Sequence, residues 1–121
     1  MKNWIILGAS LAGLAVILGA FGAHGLKNKV SPADLAIFET GVQYHMYHAL
    51  GLILIGVLGF HYNSDVIQLP AVLLSIGILI FSGSLYILVL TGLRWMGAIT
   101  PIGGVAFIAG WLLLVLRIAK A

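Results

Sequence analysis

Cysteine is absent from this 121-residue chain, which excludes disulfides, thiolate metal sites, thiol nucleophiles and palmitoylation. Charge is scarce too. Charged residues make up 7% of the sequence, against about 25% in an ordinary soluble domain. Six basic and three acidic residues give a formal net charge of +3, but every cation flanks an apolar stretch. They read as headgroup anchors and leave no patch for nucleic acid. So few ionisable groups cannot supply a nucleophile, a base and an orienting partner together, which argues against an enzyme. No internal repeat is visible either.

What the chain has in abundance is apolar surface. Hydrophobic residues make up 62% of it. They concentrate in four stretches near residues 3–23, 42–60, 69–91 and 97–116, none with Lys, Arg, Asp or Glu in its middle. A spanning helix needs about 20 apolar residues to cross about 30 Å of hydrocarbon. The expected fold is all-α: an integral membrane four-helix transmembrane bundle, up-down and antiparallel, forming one domain over residues 1–121. The first stretch exceeds the roughly 7–15 apolar residues of a signal peptide and is read as a span. With four spans both termini share a side with the 60–69 loop. Lys2, Arg117 and Lys120 fall on that side, and Lys27, Lys29 and Arg94 on the other. The tie gives the positive-inside rule no direction; either something else sets the topology or the chain inserts both ways.

Within the spans, small residues are patterned. Gly8, Ala12, Ala15, Gly19 and Gly22 share an arc of about 80° on the first helix and predict close packing against another span or another copy. Ser31-Pro32-Ala33-Asp34 is a helix start, with Ser as cap, Pro in the first turn and an acid at the third position. It predicts an interfacial amphipathic extension at the start of the second helix. Gly22–Val30 before it reads as a loop. In the third span Ser75, Ser82 and Tyr86 face one way and Gly77, Ser84 and Thr91 the other, so this helix is expected to be the most enclosed. Pro70 is placed in its first turn, and Thr100-Pro101 marks a cap-plus-proline start for the fourth helix. A chain this small has few ways to bury its Gly/Ala faces, so a homo-oligomer or docking onto a larger membrane complex is expected.

The densest polar run is Glu39–His48. Glu39, Gln43 and Tyr47 follow one another at i,i+4, as Tyr44 and His48 do on another face. His45 lies about 60° from His48 at about 100° per residue. The histidine face also carries Gly41, Leu52, Gly56 and Gly59, so the rings should point at protein, near enough to the interface for water to reach. A buried hydrogen-bond network, a pocket for a small hydrophobic, headgroup or quinone-like ligand, a metal or haem site, and a proton path are the competing readings. Glu39 lies about 120° from His45 and about 180° from His48, so one helix cannot offer all three to a metal. Haem needs at most two axial ligands, leaving His24 with His45 or His48 open. No metal, cofactor or catalytic residue is assigned.

Four ordered motifs carry a family resemblance: Gly19–Leu26, Phe38–Ala49, Phe81–Tyr86 and Thr100–Gly104. Together they resemble the YgdD-like family of small four-helix membrane proteins, domain of unknown function 423, across essentially the whole chain. The resemblance implies a multi-pass protein of the bacterial plasma (inner) membrane without an established activity. Its shared motifs fall on His24, Glu39, Tyr44, His48, Ser82, Tyr86 and Thr100; the position of His45 is often Gln, which would weaken a two-histidine metal site. The expected function is a structural or accessory factor for membrane integrity or complex assembly. The alternative is binding or transport of a small hydrophobic, headgroup or haem-like ligand through the cluster His24, Glu39, Tyr44 and His48, within a ligand or polar network that also takes in Gln43, His45, Ser82, Tyr86 and Thr100.

Overall fold

A computed structural model describes residues 2–121. Among them are four helices long and apolar enough to cross a membrane: α1 (Lys2–Leu26), α2 (Pro32–Leu58), α3 (Ser64–Thr91) and α4 (Arg94–Lys120). Each outruns the apolar stretch that marks it, because polar end residues also take helical geometry. α1 packs on α2 and α3 on α4, and α2 and α3 join the two pairs. The all-α bundle is thus a layered stack of sequence neighbours, as short connections dictate.

Local chemistry sets the helix boundaries. Ser31 caps α2, its hydroxyl oxygen accepting from the Asp34 N–H at 3.1 Å, with Pro32 at the first helical position. Gly92 ends α3 at φ 77°, the left-handed geometry that an L side chain resists, and its N–H donates to the Leu88 carbonyl at 2.8 Å. This permits the abrupt turn into α4, whose first residues, Arg94–Ala98, form a 3-10 turn before the α-helix starts at Thr100.

Three expectations need correction. Gly22–Leu26 is a wide π-helical turn that extends α1, not loop. α3 begins at Ser64, so Pro70 lies inside the helix and buried rather than in its first turn. The polar His61–Asp65 turn supplies the start that the apolar count missed. Finally, α3 is no more enclosed than α2; both are far more buried than α1 and α4.

Two apolar layers hold the bundle. One, toward the α2–α3 turn, joins Leu52, Ile55, Ile67, Leu74, Ile78 and Phe107. The other, toward the opposite end, joins Leu26, Phe38, Leu88 and Val89. The small-residue stripe of α1 faces α2 of the same chain: Gly8, Ala15 and Gly22 are buried. A Cβ on Gly8 would lie 2.7 Å from the Ala49 carbonyl oxygen, and one on Gly22 2.9 Å from the Phe38 ring. Gly19 is looser, its Cβ meeting only Val42 at 3.4 Å.

Candidate functional site

Between the two apolar layers lies a polar one. His45 is the middle residue of α2, thirteen from either end, and so about 20 Å from each at 1.5 Å per residue. Phe107, against which His48 stacks, is likewise the middle residue of α4. The two histidines therefore sit at mid-height of the bundle, deep in the hydrocarbon, and not near the interface where water would reach them. The reason is that α2 extends ten residues before the stretch that starts at Val42.

At this depth each inward polar group needs a partner in the protein. His45, 2% exposed, places Nδ1 2.8 Å from the Tyr86 hydroxyl of α3. The Ser82 hydroxyl, fully buried, donates to the Gly41 carbonyl of α2 at 2.6 Å. Gly41 is where α2 and α3 come close, since a Cβ there would meet the Tyr86 ring at 3.0 Å. Nε2 of His45 has no hydrogen-bond partner among the described residues; the Leu11 backbone of α1 lies beside the ring, outside hydrogen-bond geometry.

His48 is held differently. Its Nδ1 donates to the Tyr44 carbonyl one turn earlier at 2.7 Å, and a carbonyl can only accept, so the neutral ring carries its proton on Nδ1. The ring lies flat on Phe107, centroids 3.5 Å apart and planes 9° apart, with Trp111 at 5.8 Å. Trp111 reaches this depth because Gly51 leaves space; a Cβ there would lie 2.9 Å from the indole. Tyr44 leans on Phe81 at 4.8 Å yet stays 39% exposed.

α3 serves α4 with its other face. The Ser84 and Thr100 hydroxyls pair at 2.5 Å, so Thr100 bonds across helices instead of capping α4. A π-helical turn at Ile78–Ser82 widens the helix just before these residues. Ser82 and Tyr86 then address α2 while Ser84 addresses α4, which accounts for the two polar faces in the sequence. Ser75 and Thr91 bond back to their own helix, to the Ala71 and Ile87 carbonyls, as hydroxyls in helices commonly do.

The remaining candidates do not join this layer. His24 is exposed in the π-helical turn of α1. Glu39 and Gln43 are exposed on the outer side of α2, where with Gly19, Gly22 and Phe38 they line a surface cavity of about 290 Å³. A second cavity, of about 630 Å³, lies at the far end of the bundle between the α2–α3 turn and Arg117 and Lys120. Neither touches His45 or His48. No group of three or more His, Asp or Glu able to hold a metal occurs among the described residues. The polar set thus separates into an inner layer and an outer ladder.

Sequence reasoning missed Phe107, Phe81 and Trp111, which wall the histidines. A signal existed: Gly77 leaves room for the Phe107 ring, and Gly103 lets α4 approach the α3 backbone at Phe81, where a Cβ would strike it. At the bundle ends, Trp4 Nε1 donates to Gln68 Oε1 at 3.1 Å, and the two terminal guanidinium nitrogens of Arg94 donate to the two Asp34 carboxylate oxygens at 2.8 and 2.7 Å. These guanidinium hydrogen bonds, at the interfacial start of α2 outside the hydrocarbon, hold the Asp34 carboxyl below the usual carboxylate range.

Four apolar helices with a polar layer at mid-height define a multi-pass α-helical membrane protein. The chain belongs to the family described as "Protein of unknown function (DUF423)", whose model matches residues 18–104. It is 51% identical over 121 residues to the UPF0382 membrane protein YwdK of Bacillus subtilis, covering 99% of this chain and 98% of that one. The UPF0382 membrane protein of Staphylococcus saprophyticus is 55% identical over 120 residues, covering 99% of both. That of Staphylococcus haemolyticus is 52% identical over 120 residues, covering 99% of this chain and 98% of that one. No solved structure matches the chain. The relatives make this a bacterial membrane protein of a family without an established activity.

Proposed function

We propose that the protein is a non-enzymatic accessory factor of the bacterial membrane, a rigid bundle that supports membrane integrity or complex assembly through its lateral surface. One observation carries this reading. The inward polar groups engage one another or the backbone: His45 with Tyr86, Ser82 with the Gly41 carbonyl, His48 with the Tyr44 carbonyl, Ser84 with Thr100. Such a layer specifies which helix faces meet, at a modest energy of about 0.6 kcal/mol per interhelical hydrogen bond. Within that layer Nε2 of His45 alone is buried without a hydrogen-bond partner among the described residues.

A second reading has one observation in its favour. His48 holds its proton on Nδ1 and so offers an unprotonated Nε2 among aromatic rings, a setting suited to a small hydrophobic or haem-like ligand. Mass spectrometry of protein purified in mild detergent, with an absorbance scan, separates the two. The accessory reading expects no stoichiometric small molecule and no Soret band. A bound species that disappears in His48→Ala while the bundle stays folded would overturn it in favour of the second.

A further inference from the structure

The outer side of α2 presents the reverse of its inner side. Glu39, Gln43 and Tyr47 succeed one another at i,i+4 and all three are exposed, Tyr47 to 56%. No side-chain hydrogen bond or ion pair joins them to another described residue. Gln43 and Tyr47 are two residues from the middle of α2 and Glu39 six. At 1.5 Å per residue this is about 3 and 9 Å along the axis, within a hydrocarbon half-thickness of about 15 Å. Elsewhere the same face carries exposed Ala36, Leu50, Leu54 and Val57, which suit acyl chains. A carboxylate, a carboxamide and a phenol do not, because lipid tails can neither donate to them nor accept from them.

We infer that this face is where two copies of the chain meet in opposite orientations, about a two-fold axis that lies in the membrane plane and passes Gln43. The hydrogen-bonding inventory selects this arrangement. In a parallel pair groups of equal depth meet, so carboxylate would face carboxylate. In the antiparallel pair the residue four before Gln43 meets the residue four after it. Glu39 of each copy then accepts from the Tyr47 hydroxyl of the other, and the two Gln43 amides donate and accept across the axis. The cavity of about 290 Å³ beside Glu39 and Gln43 is lined by Gly19, Gly22 and Ala23, whose lack of bulk leaves room for the second copy's Tyr47 ring.

An independent feature agrees. Lys2, Arg117 and Lys120 mark one end of the bundle and Lys27, Lys29 and Arg94 the other. The positive-inside rule therefore favours neither orientation, and an antiparallel pair requires both. The inference does not depend on the accessory role proposed above.

The cysteine-free chain lends itself to cross-linking in isolated membranes. Gln43→Cys should form a disulfide with itself. Glu39→Cys and Tyr47→Cys, co-expressed with different tags, should cross-link to each other and not to themselves. In the antiparallel pair two copies of position 47 lie about 12 Å apart along the axis, beyond the roughly 7 Å that a disulfide spans between Cα atoms. Self-linking of Glu39→Cys and Tyr47→Cys above the mixed pair would mean a parallel arrangement and overturn the inference. Loss of all cross-linking with the monomer intact would do the same. Should a variant fail to insert, the unaltered chain decides. C-terminal fusions to a reporter active only inside the cell and to one active only outside should both be active, and activity of one alone would overturn the proposal.

Discussion

The two sides of α2 carry similar residue types and meet opposite fates. On the inner side His45 finds Tyr86, the Gly41 carbonyl finds Ser82, and His48 finds a carbonyl and an aromatic slab. On the outer side Glu39, Gln43 and Tyr47 find no hydrogen-bond or ion-pair partner among the described residues. Polarity at mid-membrane depth is thus tolerated where a neighbouring helix supplies the complementary atom, and points to a missing neighbour where none does. The comparison also explains why the inner layer lies between apolar layers: there the hydrogen bonds fix helix register while the flanking side chains supply the contact area.

The comparison can be broken most forcefully at the α1–α2 contact on which the inner side depends. Gly8→Leu would drive a side chain into the Ala49 carbonyl, backbone that cannot step aside. A loss of about 1–3 kcal/mol or more is expected, visible as a lower melting temperature in detergent. Gly13→Leu, on the open side of α1 with nothing within 4 Å, should melt like the parent. Equal effects would remove the packed-face assignment.

A smaller effect sharpens the hydrogen-bond claim. His45→Leu leaves the Tyr86 hydroxyl without its partner across the α2–α3 contact and should cost about 1–3 kcal/mol. His45→Gln, whose side-chain amide can either donate to or accept from that hydroxyl, should recover most of that. If Gln were no better than Leu, ring packing rather than hydrogen bonding would account for His45. Smallest is the exposed Arg94–Asp34 pair at the bundle end. Because the Asp34 pKa is depressed, the pair contributes above the ordinary carboxylate range and its contribution disappears as pH falls through the depressed value. The melting difference between the parent and Asp34→Asn should therefore be slight at neutral pH and vanish in strong acid.

Much of this fold is legible in the sequence, because hydrocarbon thickness imposes span length and leaves few alternatives for long apolar runs. The Ser31-Pro32 start and the α1 glycine stripe can also be read directly, since caps and close approaches require particular residues. Depth was harder. A count of apolar residues starts the second span at Val42 and puts the histidines near the interface, whereas Pro32–Val42 continues the same helix and moves them to the centre. Partners were harder still. That Ser84 meets Thr100, and His48 meets Phe107, depends on the phase shift at Ile78–Ser82, and no local pattern announces a π-helical turn. The candidate residues on α2 divide between its two sides, and that division decides what each can do. It explains why Glu39 cannot join His45 and His48 at one site, while His24 lies apart in the exposed π-helical turn of α1.

The most direct test sets one residue from each side of α2 against the other, measuring melting of the isolated chain and copy number by native mass spectrometry. His45→Leu should lower the melting temperature while the pair persists, and Glu39→Leu should abolish the pair while the isolated chain melts like the parent. A Glu39→Leu chain that melts as early as His45→Leu, with its copy number unchanged, would contradict the account.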